Sequence, residues 1–155
     1  MSTIAPARVD DLPAIRRLLA ACALPHDDFR DDAVAFVVAR DAGRIQGVAG
    51  IEALGEVALL RSVAVPPENR RRGLARSLCD AALAHARSIG VQHVYLLTTA
   101  AEPYFRRLGF VTIDRDSLPA QIRSTSEFLI ACPQSATAME KALKMGLRAP
   151  IWAGP

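Results

Sequence analysis

The segment that most constrains this chain runs Val63, Ala64, Val65, Pro66, Pro67, Glu68, Asn69, Arg70, Arg71, Arg72, Gly73, Leu74, Ala75, Arg76. A short β-branched run ends in two prolines, which cannot sit inside a central strand ladder. A basic turn with one glycine follows. From Leu74 to Ile89 the apolar positions then recur at helical spacing and stop at Gly90, a good residue to follow a helix end. A strand that feeds a helix through such a turn offers free backbone N–H groups and a positive dipole end to an anion. With Arg70, Arg71 and Arg72 on the same turn, the pattern points to a phosphate or pyrophosphate site.

The rest of the chain frames that unit. A short strand is expected over 4–8. A helix capped by Asp10 or Asp11 then carries Leu12, Ile15, Leu18, Leu19 and Cys22 on one face, with Pro13 tolerated in its first turn. Residues 36–39 and 45–51 read as a hairpin closed by Asp41, Ala42 and Gly43. After Gly55, residues 56–65 form a long apolar strand of the centrally buried kind. Further strands are expected over 94–98, 110–114 and 137–143, with a short helix over 103–108 and a longer one from Ser117 to about Phe128. His85 falls on the apolar side of the helix after Gly73 and reads as a core histidine.

With 155 residues the chain fits one domain, 1–143, followed by a loose tail over 144–155. No apolar run approaches the roughly 18 residues of a membrane span, and no basic-then-apolar leader opens the chain. Cys22, Cys79 and Cys132 lie far apart without paired spacing, so no metal site is expected, and reduced thiols suit a cytoplasmic protein. The net charge is only +3, with arginines concentrated in one segment. That pattern favours a local anion site over nucleic acid or a membrane surface.

This layout resembles the GNAT superfamily of N-acetyltransferases. The family's acyl-CoA signature is Gln or Arg, two residues, Gly, one residue, then Gly or Ala. It stands here as Arg70, Arg71, Arg72, Gly73, Leu74, Ala75, with the expected apolar strand before it and Tyr104, Phe105, Arg106, Arg107, Leu108, Gly109, Phe110 downstream. The resemblance covers roughly residues 4–143. It implies an α/β fold with a mixed, mostly antiparallel, twisted sheet of six to seven strands. That sheet splays at a V-shaped CoA cleft and is flanked by about four helices. It implies acetyl-CoA as donor and no metal. The pyrophosphate would lie on the turn from Arg70 to Arg76, and the pantetheine arm along Val63, Ala64 and Val65, with Thr99 and Phe105 nearby. Gly73 would let the backbone approach the phosphate closely.

In this family an amine attacks the thioester directly, backbone donors hold the oxyanion, and a base and an acid move protons. Glu56 and Glu52 are the candidate bases, with a solvated carboxylate or a partner for Arg61 as the competing readings. The family's usual tyrosine, four residues before the Gly-Phe pair, is replaced here by Phe105. A tyrosine stands one step earlier at Tyr104, about 100° round the helix. Either Tyr104 reaches the sulfur through a shifted turn, or water or another group protonates the thiolate.

The acceptor must be read elsewhere. Arg61 interrupts an apolar strand beside Ser62, where a buried charge requires a partner. It either clamps an oxyanion of the acceptor or pairs with Glu52, Glu56 or Glu127. Arg123, Ser124 and Glu127 are expected at helical spacing along one wall of the pocket. Leu60, Arg61 and Ser62, with Leu97, Thr98, Thr99, Ala101, Glu102 and the segment from Arg123 to Pro133, also resemble a narrower subgroup. These are the small acetyltransferases carried in bacterial arsenic-resistance operons. That likeness implies a small-molecule amine acceptor, an arsenical or another toxic amino-acid analogue. The remaining alternatives are a polyamine or protein N-terminus as acceptor, or a non-catalytic acyl-CoA sensor. The fold family also offers a homodimer through its C-terminal strands.

Overall fold

The computed structural model describes residues 2–70 and 73–143. Arg71, Arg72 and the tail from Lys144 lie outside the described residues. Among the described residues seven strands form one sheet in the order β1-β2-β3-β4-β5-β7-β6. They are β1 (Thr3–Pro6), β2 (Ala35–Asp41), β3 (Arg44–Leu54), β4 (Val57–Ala64), β5 (His93–Thr98), β6 (Val111–Ile113) and β7 (Thr137–Ala142). The helices are α1 (Leu12–Ala21), α2 (Leu74–Ser88), α3 (Glu102–Arg107) and α4 (Ala120–Arg123). Every strand pairing is antiparallel except that of β4 with β5.

Side-chain alternation sorts the core. Val37, Ala39, Ala49 and Ile51 face α2, which buries Leu74, Leu78, Cys79, Ala82, Leu83 and Ala86 against them. Phe36, Val38 and Val48 point the other way, onto Ile15 and Leu19 of α1. The β2–β3 turn at Ala42 and Gly43 has positive φ at both residues (52° and 78°), the twist a tight hairpin needs.

Two expectations fail for local reasons. His85 is exposed, because it falls beside the buried stripe of α2 rather than on it. The long helix expected over 117–128 is broken into α4 and a five-residue π-helical turn, Glu127–Ala131. The Thr125 hydroxyl causes the break. It donates to the carbonyl of Ile122 (2.7 Å) and accepts from the amide of Phe128 (3.3 Å), in place of continuous helix bonds.

Two features of β4 open the sheet. It pairs with β5 only over Val57↔His93, Ala58↔Val94 and Leu59↔Tyr95, so the two strands diverge beyond Leu60 and Leu96. Against β3, Gly50 faces Arg61 but Val48 faces Ala64, so Ser62 and Val63 together oppose Ala49. This is a β-bulge, and Ser62 carries it with φ of 59°. The extra residue inverts the facing pattern: Ala58 and Leu60 face α2 before it, Val63 and Val65 after it.

Candidate active site

The divergence of β4 from β5 leaves a cavity on each side of the split. One is a groove of about 400 Å³ between the end of β4, the start of α2 and α3. Val63, Val65, Asn69, Arg70, Gly73 and Arg76 line it, with Leu74, Ala75, Tyr104 and Phe105. The other is a cavity of about 320 Å³ bounded by β4, β5, the loop after α1 and the π-helical turn. Val63 and Phe105 line both, so the two spaces meet there.

The groove is built by the Pro-Pro-Arg-Gly segment. Residues Pro67–Asn69 form a single 3₁₀ turn, and Arg70 Nε donates to the carbonyl of Val65 at 2.7 Å, tying the turn to the strand end. Gly73 then starts α2 in a left-handed conformation, φ 71°. Among the described residues beyond its chain neighbours, a Cβ there would meet no atom within 4 Å, so it is the backbone angle, not crowding by them, that calls for glycine. The first bond of α2 runs from Ser77 N to Gly73 O (3.0 Å). The amides of Leu74, Ala75 and Arg76 precede it at the positive end of the helix, and these three residues line the groove. The Ala64 side chain packs among the residues around α1, so only its backbone, at the end of β4, is placed to meet a donor, and Thr99 lines the second cavity rather than the groove.

The second cavity holds a buried ionic cluster. The Arg61 side chain is fully buried. Its Nη2 reaches both oxygens of Asp28 (2.6 and 2.7 Å), its Nη1 reaches Glu52 (3.3 Å), and its Nε lies 3.3 Å from Ser62 Oγ and 3.6 Å from Glu127 Oε1. The Phe29 ring stacks 5.0 Å from the guanidinium. Burial works against the charge of Arg61, yet Glu127, Asp28 and Glu52 together hold its pKa above the ordinary value. Burial also lifts the Glu127 carboxyl to about 7, with Arg61 opposing and Asp28 and Glu52 reinforcing the rise. Cys132, in the same cavity, is pushed up to about 12 by burial first and Glu127 second, so it stays a thiol at neutral pH.

Other expected site residues are not brought together. Glu56 is exposed in the β3–β4 turn, roughly 16 Å of strand from Arg61 at about 3.3 Å per residue. Arg123 at the end of α4 and Ser124 just after it are exposed, and the Ser124 hydroxyl donates to the carbonyl of Ala120 at 2.8 Å. Tyr104 packs edge-on to Phe105 (5.4 Å) with Arg107 5.9 Å from its ring. It lines the groove beside α2, while Phe105 faces the junction. Burial chiefly, with Cys79 and Asp80 adding, raises the Tyr104 pKa. Asp28 and Asn69 escaped sequence reading. Asp28 lies 33 positions from Arg61, beyond any periodicity, and only the demand of a buried arginine for a partner pointed its way. Among the described residues no group of three or more His, Cys, Asp and Glu could hold a metal ion, and no helix is long and apolar enough to cross a membrane.

The acetyltransferase (GNAT) family model matches residues 7–110. An amino-acid acetyltransferase of Enterobacter sp. (strain 638) is 38% identical over 68 residues, 44% of this chain and 15% of that enzyme. Among solved structures, a Mycobacterium tuberculosis protein in complex with CoA superposes with a TM-score of 0.76 at 26% identity, covering 92% of this chain and 99% of the other. The N-acetylglutamate synthase of Neisseria gonorrhoeae, complexed with CoA and L-arginine, gives 0.76 at 21% identity, over 92% of this chain and 33% of that one. This chain thus spans a small part of the length of the two named enzymes.

Proposed function

This chain belongs to the GNAT family of acetyltransferases, and from that premise we propose that it moves an acetyl group from acetyl-CoA to the primary amine of a small molecule. The observation that carries the reading is the meeting of two cavities at Val63 and Phe105, where β4 and β5 part. The groove suits the donor. Backbone amides of Leu74 to Arg76 would bond the pyrophosphate, each charge-assisted bond contributing about 1.5–3 kcal/mol, and the freed edge of β4 would pair with the pantetheine amides. The thioester then lies at the junction, beside the bulge at Ser62 and Val63. The smaller cavity suits the acceptor.

Tyr104 lines the groove and not the acceptor cavity, so this reading gives its phenol no part in the chemistry. The leaving thiolate takes its proton from water. Arg61 braces the carboxylates around it, and the cluster favours the ammonium end of an acceptor over its acid end. We assign as acceptor an amino-acid analogue, with an arsenic-containing amino acid as the specific candidate. The match to an amino-acid acetyltransferase and the likeness of residues 60–62 and 123–133 to arsenic-resistance enzymes support that choice. The test is release of CoA thiol from acetyl-CoA across amino acids, arsenic- and phosphorus-containing analogues, polyamines and peptide N-termini. Preference for an amino-acid analogue is the expected result. Preference for a polyamine overturns the acceptor, and acetyl-CoA binding without turnover makes the chain a sensor.

A further inference from the structure

Three carboxylates surround Arg61, and one of them opens onto the acceptor cavity. Asp28 spends both oxygens on Arg61 Nη2 and also accepts from Ser126 Oγ at 3.1 Å. Glu52 reaches Arg61 from β3 and is not part of the cavity wall. Glu127 is part of it, beside Ser62, Thr98, Phe105 and Cys132. It starts the π-helical turn, a distortion that recurs at functional sites, and its side chain is 7% exposed.

We propose that Glu127 is the group that takes the proton from the acceptor's ammonium, with Arg61 as a positioning residue; this rests on the acetyltransferase reading above. An N–H bond of the ammonium breaks, its proton goes to a Glu127 oxygen, and the freed electron pair forms the C–N bond to the thioester carbonyl carbon. When the adduct collapses, the C–S bond breaks and its electron pair leaves with the CoA thiolate. A second proton passes from the amide-forming nitrogen to the thiolate through water, and Glu127 returns its own proton to solvent. The groups facing Glu127 are Arg61 from β4, Glu52 from β3, Asp28 from the loop after α1, and Cys132 at the end of its own turn, with Arg115 beyond Cys132. The net effect of this setting is a carboxyl that ionises near neutrality, matched to proton transfer there.

The test is kcat/KM against pH from 5.5 to 9, with L-glutamate, spermidine and a phosphinic amino acid as probe amines, for the wild type, Glu127→Gln, Glu127→Asp and Glu56→Gln. The wild-type value should rise about tenfold per pH unit up to about 7. Glu127→Gln should lose about 100-fold or more at pH 7, lose that inflection, and recover toward the amine's own pKa. Glu127→Asp should keep the inflection at reduced rate, and all variants should bind CoA as the wild type does. A Glu127→Gln protein that turns over with an unchanged profile, or a Glu56→Gln protein that loses the inflection, overturns Glu127 alone and leaves the acetyltransferase reading standing. A wild type that binds CoA but is inert with every amine overturns both.

Discussion

Glu127→Gln should make the protein more stable at alkaline pH. The carboxyl's ordinary pKa is 4.5 and the folded value is about 7. The gap of about 2.5 pH units, at about 1.36 kcal/mol each, is about 3 kcal/mol. Because the folded value is the higher one, the folded state binds the extra proton between these limits. Its stability is therefore fully present below about pH 4.5 and is lost as pH rises through about 7. Glutamine copies the neutral acid and never ionises, so it keeps that stability. The variant should match the wild type near pH 4.5 and exceed it by about 3 kcal/mol at pH 8. In a domain of this size each kcal/mol moves Tm by about 2–4 °C, which gives about 6–12 °C. Thermal unfolding followed by circular dichroism at pH 4.5, 6 and 8 reads this directly. A variant that loses stability at pH 8, or gains equally at all three values, refutes the argument that burial of an ionised Glu127 strains the fold.

Arg61→Met should cost about 3–5 kcal/mol at pH 8, because Asp28, Glu52 and Glu127 lose their shared cation in a buried setting; urea unfolding should show that penalty shrinking as acid neutralises them. Gly73→Val places a branched side chain at φ 71°, costing about 1–2 kcal/mol or more, and should weaken CoA binding at least tenfold by calorimetry. Tyr104→Phe should keep kcat within about twofold, since the phenol lines the groove rather than the acceptor cavity; a fall beyond tenfold would make it the proton donor.

The sequence made the donor half of the site legible and the acceptor half only partly so. Gly73, Arg70 and the spacing of α2 are local features, and local periodicity finds them. The seven strand segments followed from hairpin turns and apolar runs for the same reason, whereas their assembly into one splayed sheet was implied by the family resemblance. The ionic cluster at the acceptor cavity is assembled from positions far apart, Asp28, Arg61 and Glu127, which no period connects. An arginine in an apolar strand announced that partners existed and pointed to Glu52 and Glu127, which the structure places beside it, but not to Asp28. Glu56 misled because an exposed turn carboxylate and a strand-end base look alike in sequence. Arg123 and Ser124 misled because Thr125 breaks the helix that would have aligned them with Glu127.

The most direct test of the whole account is to supply acetyl-CoA labelled in its acetyl carbons and follow the label by mass spectrometry, with purified protein and the amine panel. The account predicts a labelled N-acetyl product of one small amine, formed one-to-one with free CoA and at neutral pH formed about 100-fold or more slowly by Glu127→Gln. Saturable binding of acetyl-CoA with no labelled amide from any amine would contradict it.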